Sequence, residues 1–114
     1  MNPIQLLKEL RETLSGELDV YDFEFGIGEL TADFGIMDRE IELADDITAV
    51  VNFKAEGERH IYRGDYYQPS EESGTIEVHI THADFYDING EKVAEVDAPY
   101  STYYENKYTI KLTF

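Results

Sequence analysis

Asn2-Pro3-Ile4-Gln5-Leu6-Leu7-Lys8-Glu9-Leu10-Arg11-Glu12-Thr13-Leu14-Ser15-Gly16 is the stretch on which the fold class turns. At 100° per residue, Ile4, Leu6, Leu7, Leu10 and Leu14 fall within an arc of about 160°, and Gln5, Lys8, Glu9, Glu12 and Thr13 take the other side. Asn2 is a capping residue, Pro3 suits the first helical position, and Gln5 sits where a capping-box partner reaches back. Gly16 supplies a stop. The stretch predicts one amphipathic helix over residues 3–15 with a single apolar face to bury. Its polar face lacks the Lys/Arg richness of a membrane-surface helix.

Beyond Gly16 the period changes from 3.6 to 2. Tyr21, Phe23, Phe25 and Ile27 alternate with Asp22, Glu24 and Gly26. Ile41 and Leu43 alternate with Glu40 and Glu42, and Ile47, Ala49, Val51, Phe53 and Ala55 continue an odd-numbered inward set. Ile76, Val78 and Ile80 form another such run, and Tyr108, Ile110, Leu112 and Phe114 the last. Strands are expected within 18–27, 33–43, 47–62, 75–88, 91–97 and 101–114. Asn89-Gly90 predicts a two-residue type I′ turn, which would set Ile88 opposite Glu91, Asp87 opposite Lys92 and Tyr86 opposite Val93. Gly64 to Gly74 has breakers and charge without period and reads as a loop. The expectation is a single α+β domain over residues 1–114: an N-terminal amphipathic helix packed on a curved antiparallel meander sheet of about five to seven strands.

Composition narrows the chemistry. The chain has 114 residues, 42% hydrophobic and 30% charged, which suits one core. It has no Cys, which removes disulfide scaffolds, thiolate metal sites, iron–sulfur clusters and a Cys nucleophile. With 25 acids against 9 bases the formal charge is -16, so direct contact with nucleic acid or an anionic membrane would be repulsive. The first residues carry acids and no apolar run of leader length, and no apolar run reaches membrane-span length, so the expected compartment is the cytoplasm.

Motifs for catalysis are wanting. Gly26-Ile27-Gly28 has neither a third glycine nor a following helix, so no dinucleotide site is implied. Aligning Gly90 with the invariant glycine of a calcium-binding loop puts Phe85 first and Val96 last, where carboxylates are required. Ser15, Ser70, Ser73 and Ser101 lie in no nucleophile-elbow pattern. His79 and His82 are three apart on an expected strand, which places them on opposite faces and apart from any shared metal, while His60 has no local partner. Paired carboxylates are uninformative among so many acids. No cofactor and no catalytic residue is expected.

The distribution of charge says more. Residues 17–46 hold eleven acids and one base, Arg39, or -10 of the total -16. Asp22 and Glu24 take outward positions of one expected strand, and Asp38, Glu40 and Glu42 those of the next, with Asp45 and Asp46 following. Like charges facing one another across a sheet cost stability, so such a face is expected to serve a basic partner. Outward positions repeat about every 6.8 Å, of the order of phosphate spacing, hence a DNA-mimic or inhibitor-type accessory protein of a phage or mobile element. Nine tyrosines and no Trp are the second unusual feature. Tyr66, Tyr67, Tyr103 and Tyr104 sit near Pro69 and after Pro99, where a rigid amphipathic ring favours binding. The expected function is that of a small, acidic, non-enzymatic interaction protein that binds a basic protein surface. The alternative is a ligand-binding or enzymatic domain with a pocket between helix and sheet, lined by Tyr62, His60 or His82.

Overall fold

A computed structural model describes residues 2–62, 64, 71–99 and 105–114, with only the backbone of Tyr21 and Asn106. Tyr66, Tyr67, Tyr103 and Tyr104 lie outside the described residues. One helix, α1 (Pro3–Glu17), packs on a curved antiparallel sheet of five strands: β1 (Thr31–Glu42), β2 (Thr48–Tyr62), β3 (Glu71–Tyr86), β4 (Lys92–Asp97) and β5 (Thr109–Thr113). This is the α+β class that the single helical period implied.

The Asn2 side chain accepts the Ile4 N–H at 3.0 Å and caps α1. Gly16 does not end the helix. The chain continues to Glu17 and leaves only at Leu18, whose N–H closes on the Leu14 carbonyl at 2.9 Å and whose side chain is drawn into the core. Leu6, Leu7, Leu10 and Leu14 are buried, each worth roughly 2 kcal/mol of transfer free energy. Ile4, placed in the same stripe by its spacing, is 77% exposed because it sits in the first turn, beyond the sheet's cover. The inner face of the sheet meets this stripe with Ala49, Val51, Phe53 and Ala55 of β2 and Ile76, Val78, Ile80, Ala83 and Phe85 of β3.

The sheet order is β1-β2-β3-β4, and β5 shares with β4 the far edge of β3. β4 pairs with residues 82–86 of β3 and β5 with residues 75–79, so one interrupted edge strand leaves the sheet between Asp97 and Thr109. β2 and β3, at 15 and 16 residues, each span about 50 Å. Their far ends form a two-stranded arm, His60–Tyr62 against Glu71–Ser73. The radius of gyration is accordingly 16.8 Å, against about 13 Å for a compact chain of this length.

Three local expectations are corrected. Residues 18–27 form no strand: a 3-10 turn covers Val20–Asp22, where the Asp22 carboxylate accepts the Asp19 N–H at 2.9 Å and backbone bonds run from Asp22 to Asp19 and from Phe23 to Val20. These short-range bonds outcompete strand pairing. Phe23 and Phe25 still point inward, their rings meeting Phe34 tilted and edge-on at 5.3 and 5.5 Å, whereas Ile27 is fully exposed. The Asn89-Gly90 turn is wider than type I′. Only Gly90 has positive φ, the Asp87 N–H bonds to the Glu91 carbonyl at 2.8 Å, and Tyr86 faces Lys92 rather than Val93. The Asp87 carboxylate accepts the N–H groups of Asn89 and Glu91 and holds this longer loop. Two successive positive φ values fall instead at Asp45 and Asp46, in the three-residue connection 44–46 between β1 and β2 that the Leu43 N–H closes on the Ile47 carbonyl at 2.7 Å. Finally, Glu71–Gly74 are strand, paired with Arg59–Tyr62, and not loop.

Candidate functional site: the open face of the sheet

α1 covers one face of the sheet, and cross-strand register fixes what the other presents. Residues directly opposite share a face. Asp38, Glu40 and Glu42 of β1 pair with Asn52, Val50 and Thr48 and all point outward, exposed. Each faces a neutral neighbour, so the repulsion expected of adjoining acidic strands does not arise there. Arg39, the one base among residues 17–46, takes the inner parity opposite Val51 and does not neutralise the row. Asp45 and Asp46 extend it at the turn beside Glu42. Asp22 and Glu24 do not join it. They flank Phe23, which is buried on the helix side, because their segment is not a strand. The partner-binding residues named from sequence therefore divide: five lie together along β1 and its turn, two lie elsewhere, and four tyrosines lie outside the described residues.

His79 and His82, expected on opposite faces, share the open one. Thr81 is an unpaired bulge residue: Phe53 faces Ile80 and Asn52 faces His82, and the Thr81 hydroxyl donates to the Asn52 carbonyl at 3.1 Å. One inserted residue reverses the parity of everything beyond it. The two imidazoles then gather separate sets of carboxylates. His79, 1% exposed, has Nε2 3.2 Å from Glu56 and 3.6 Å from Glu77. His82 has Nε2 3.0 Å from Asp84 and 3.5 Å from Glu95, and Nδ1 3.4 Å from Asp97. Lys92 enters the second set, 2.9 Å from Asp84 and 3.0 Å from Glu95.

Electrostatics follow from this wiring. Burial disfavours the charged imidazole of His82, but its bonds to Asp97 and Asp84 and the attraction of Asp84 and Glu95 outweigh that and raise its pKa. Burial likewise opposes ionisation of Asp84, and the bonds from Lys92 and His82 prevail to lower it. Hydrogen bonds to Asp84 and Glu95 raise Lys92. The His82 set is thus a salt network in which two basic side chains meet three carboxylates.

Beside His79, the open face carries a hollow of about 480 Å³ lined by Thr31, Asp33, Glu56, Glu58, Thr75 and Glu77. A second groove of similar size lies between α1 and β4, lined among others by Leu7, Arg11, Asp97 and Tyr108. Tyr62, His60 and His82 are absent from it, because all three take the outward parity of β2 and β3. Sequence reasoning missed Glu56, Glu77, Asp84, Glu95 and Asp97, since their convergence depends on the bulge and on β4 and β5 sharing one edge of β3.

The fold and this face define a one-helix α+β protein with an uncovered, carboxylate-rich sheet surface. No protein-family model, curated protein or solved structure matches the chain. Among the described residues, no helix is long and apolar enough to cross a membrane.

Proposed function

We propose that this protein acts by binding, and that the open sheet face engages a basic protein surface. The observation that carries this reading is the outward register. β1 contributes Asp33, Asp38, Glu40 and Glu42, β2 Glu56 and Glu58, β3 Glu77 and Asp84, and β4 Glu95 and Asp97. Against these the same parity carries Lys54, Lys92 and Lys111. The lysines lie toward the sheet's centre and far edge, so the end of β1 from Asp38 to Glu42, with Asp45 and Asp46, is left as an uncompensated row. Side chains on alternate positions of a strand form a fixed comb with a repeat of about 6.8 Å. Such a comb presents charge at low entropic cost and steers a cationic partner.

Poly-L-lysine serves as a defined cationic probe. Reversing Asp38, Glu40 and Glu42 to Lys should weaken its binding about tenfold, roughly 0.5 kcal/mol for each exposed charge, and flatten the salt dependence. A matched variant with Glu12, Glu17 and Glu24 changed to Lys alters net charge equally away from the β1 row. It should stay within about threefold of the wild type. Equal losses in the two variants would reduce the effect to net charge and refute the face.

A further inference from the structure

We propose that the free edge of β1, from Ile36 to Glu42, takes up an extended basic peptide of a partner protein as an added antiparallel strand, with Lys or Arg on its open-face side and apolar residues on the other. This rests on the partner reading above and names the form in which the partner presents its charge. β1 ends the sheet on its side, and no strand lies beyond it among the described residues. Its register with β2 runs without a break from Gly35 to Glu42, so the outer edge of that stretch is a regular half-ladder roughly 20 Å long. The opposite edge is split between β4 and β5, of 6 and 5 residues, and offers no run of that length.

Hydrogen bonding fixes which residues face that edge. The Leu43 N–H closes on the Ile47 carbonyl at 2.7 Å, so Leu43 turns its backbone toward β2. In an antiparallel strand both backbone groups of a residue point to the same side, and successive residues alternate. Ile41, Arg39 and Met37 therefore turn theirs to β2. Glu42, Glu40, Asp38 and Ile36 turn theirs outward, each with an N–H and a C=O that no strand engages among the described residues. The same four residues carry exposed side chains on the open face. Unpaired main-chain groups and carboxylates thus belong to the same positions, Asp38, Glu40 and Glu42.

Charge selects the occupant. Antiparallel pairing of residues 36–42 with the same stretch of a second copy would set Asp38 against Glu40, and like charges opposite one another destabilise a sheet. Lys or Arg at those positions turns the repulsion into attraction on successive rungs. Arg39 has the inner parity and does not supply that charge itself. Between the basic positions, the side chains of the added strand fall on the inner side beside Met37 and Ile41, which pack in the core, so apolar residues suit them. Free edges are commonly blunted by Pro, Lys or a bulge. Residues 36–42 contain neither Pro nor Lys and pair without a bulge. The acids are the device that remains, and they bar an acidic strand while admitting a basic one. Main-chain bonds then supply affinity and alternate side chains specificity.

The test uses the whole wild-type protein and a capped peptide of alternating Lys and Val, long enough to span residues 36–42, in three forms: unmodified, N-methylated at the lysine amides, and N-methylated at the valine amides. All three carry the same charge. In the antiparallel arrangement the lysines opposite Asp38 and Glu40 exchange both backbone bonds with them. Methylating the lysine amides removes the donors the edge needs, and methylating the valine amides removes those that face away. The first should weaken binding about tenfold or more, and the second should leave it within about threefold of the unmodified peptide. With the unmodified peptide bound, the Asp38, Glu40 and Glu42 amides should gain protection from hydrogen exchange, while those of Met37, Arg39 and Ile41 are already held by β2. Equal affinity for the two methylated peptides, or no new protection at the three acidic positions, would overturn strand addition; loss with the valine set alone would overturn the antiparallel direction. The face reading fails separately, through poly-L-lysine binding that the reversal of Asp38, Glu40 and Glu42 leaves unchanged.

Discussion

Replacing Arg59 with Met should cost this fold about 3 kcal/mol, although sequence reading gave that residue no role. Its guanidinium donates to the carbonyls of Glu29 and Gly26 and to the Glu72 carboxylate, and stands 5.0 Å from the centre of the Phe25 ring. The side chain is 13% exposed, but the groups it bonds lie at the surface, so the low end of the range for charged hydrogen bonds applies. Residues 18–30 have no ladder to hold them. What ties their end to the sheet is this fork together with the Arg59 N–H on the Leu30 carbonyl at 2.8 Å. Each bond to a charged donor is worth about 1.5 kcal/mol at the low end, and the ring contact about 0.5. The two carbonyl bonds and the ring give about 3.5 kcal/mol, which exposure of the carbonyls reduces to about 3, and loss of the half-exposed Glu72 pair adds little. Methionine keeps the stem and its packing. For a chain of this length the unfolding entropy near the midpoint is about 240 cal/mol/K, so the loss corresponds to roughly 12 °C in Tm. Arg59→Lys should recover less than half of it, because one ammonium cannot reproduce a fork onto two carbonyls. Denaturant unfolding gives the free energy, and hydrogen exchange over residues 18–30 shows whether the segment frays first. A loss below about 1 kcal/mol, or a lysine variant equal to wild type, would refute the reasoning.

Three further outcomes follow from other parts of the molecule. Asp45→Asn with Asp46→Gly, made at φ of 61° and 58°, should stabilise the β1–β2 turn by about 0.5–1 kcal/mol in thermal unfolding; an unchanged or lower Tm would contradict the turn assignment. Gly74→Ala should destabilise by about 2 kcal/mol or more, because its Cβ would run into the Glu58 carbonyl oxygen, backbone that cannot swing aside; a variant as stable as wild type would disprove that contact. His82 faces Asp84 of its own strand and Glu95 and Asp97 of β4, with Lys92 beyond, and its pKa is raised above 6.5. The unfolded chain therefore gives up this proton at lower pH than the folded one. The stability it contributes is complete below about pH 6.5 and is lost as pH rises through the folded value. Denaturation midpoints at about pH 6 and pH 8 should differ less in His82→Gln than in wild type, and an undiminished difference would remove His82 as the cause.

The helix and the alternating face of β2 were legible because both rest on local periodicity that packing then reinforces: Leu6, Leu10 and Leu14 on one side meet Ala49, Val51 and Phe53 on the other. Residues 18–27 alternate just as well and yet form no strand. Alternation records which side chains face the core, and Phe23 does face it; it does not record whether the backbone has a partner to pair with. There the Asp22 carboxylate and local backbone bonds take up groups that a ladder would have used.

The open face was hidden for a different reason. A strict period of two assigns His79 and His82 to opposite sides, and that arithmetic holds only while every residue is paired. Thr81 is the exception. Its hydroxyl bonds the Asn52 carbonyl, and the Ala98 N–H reaches the Thr81 carbonyl at 3.0 Å. Both partners of this one residue lie far off in sequence, so no local pattern announces them. The same residue marks the place where the edge strand leaves the sheet between Asp97 and Thr109. Beyond that gap β5 takes up the edge and pairs Thr109 with His79. Thr109, returning from that excursion, brings its hydroxyl to 3.2 Å from the His79 Nδ1. The bulge and the interrupted edge thus act together: the first puts a second imidazole on the acidic face, and the second fixes which nitrogen of the buried one meets Glu56 and Glu77.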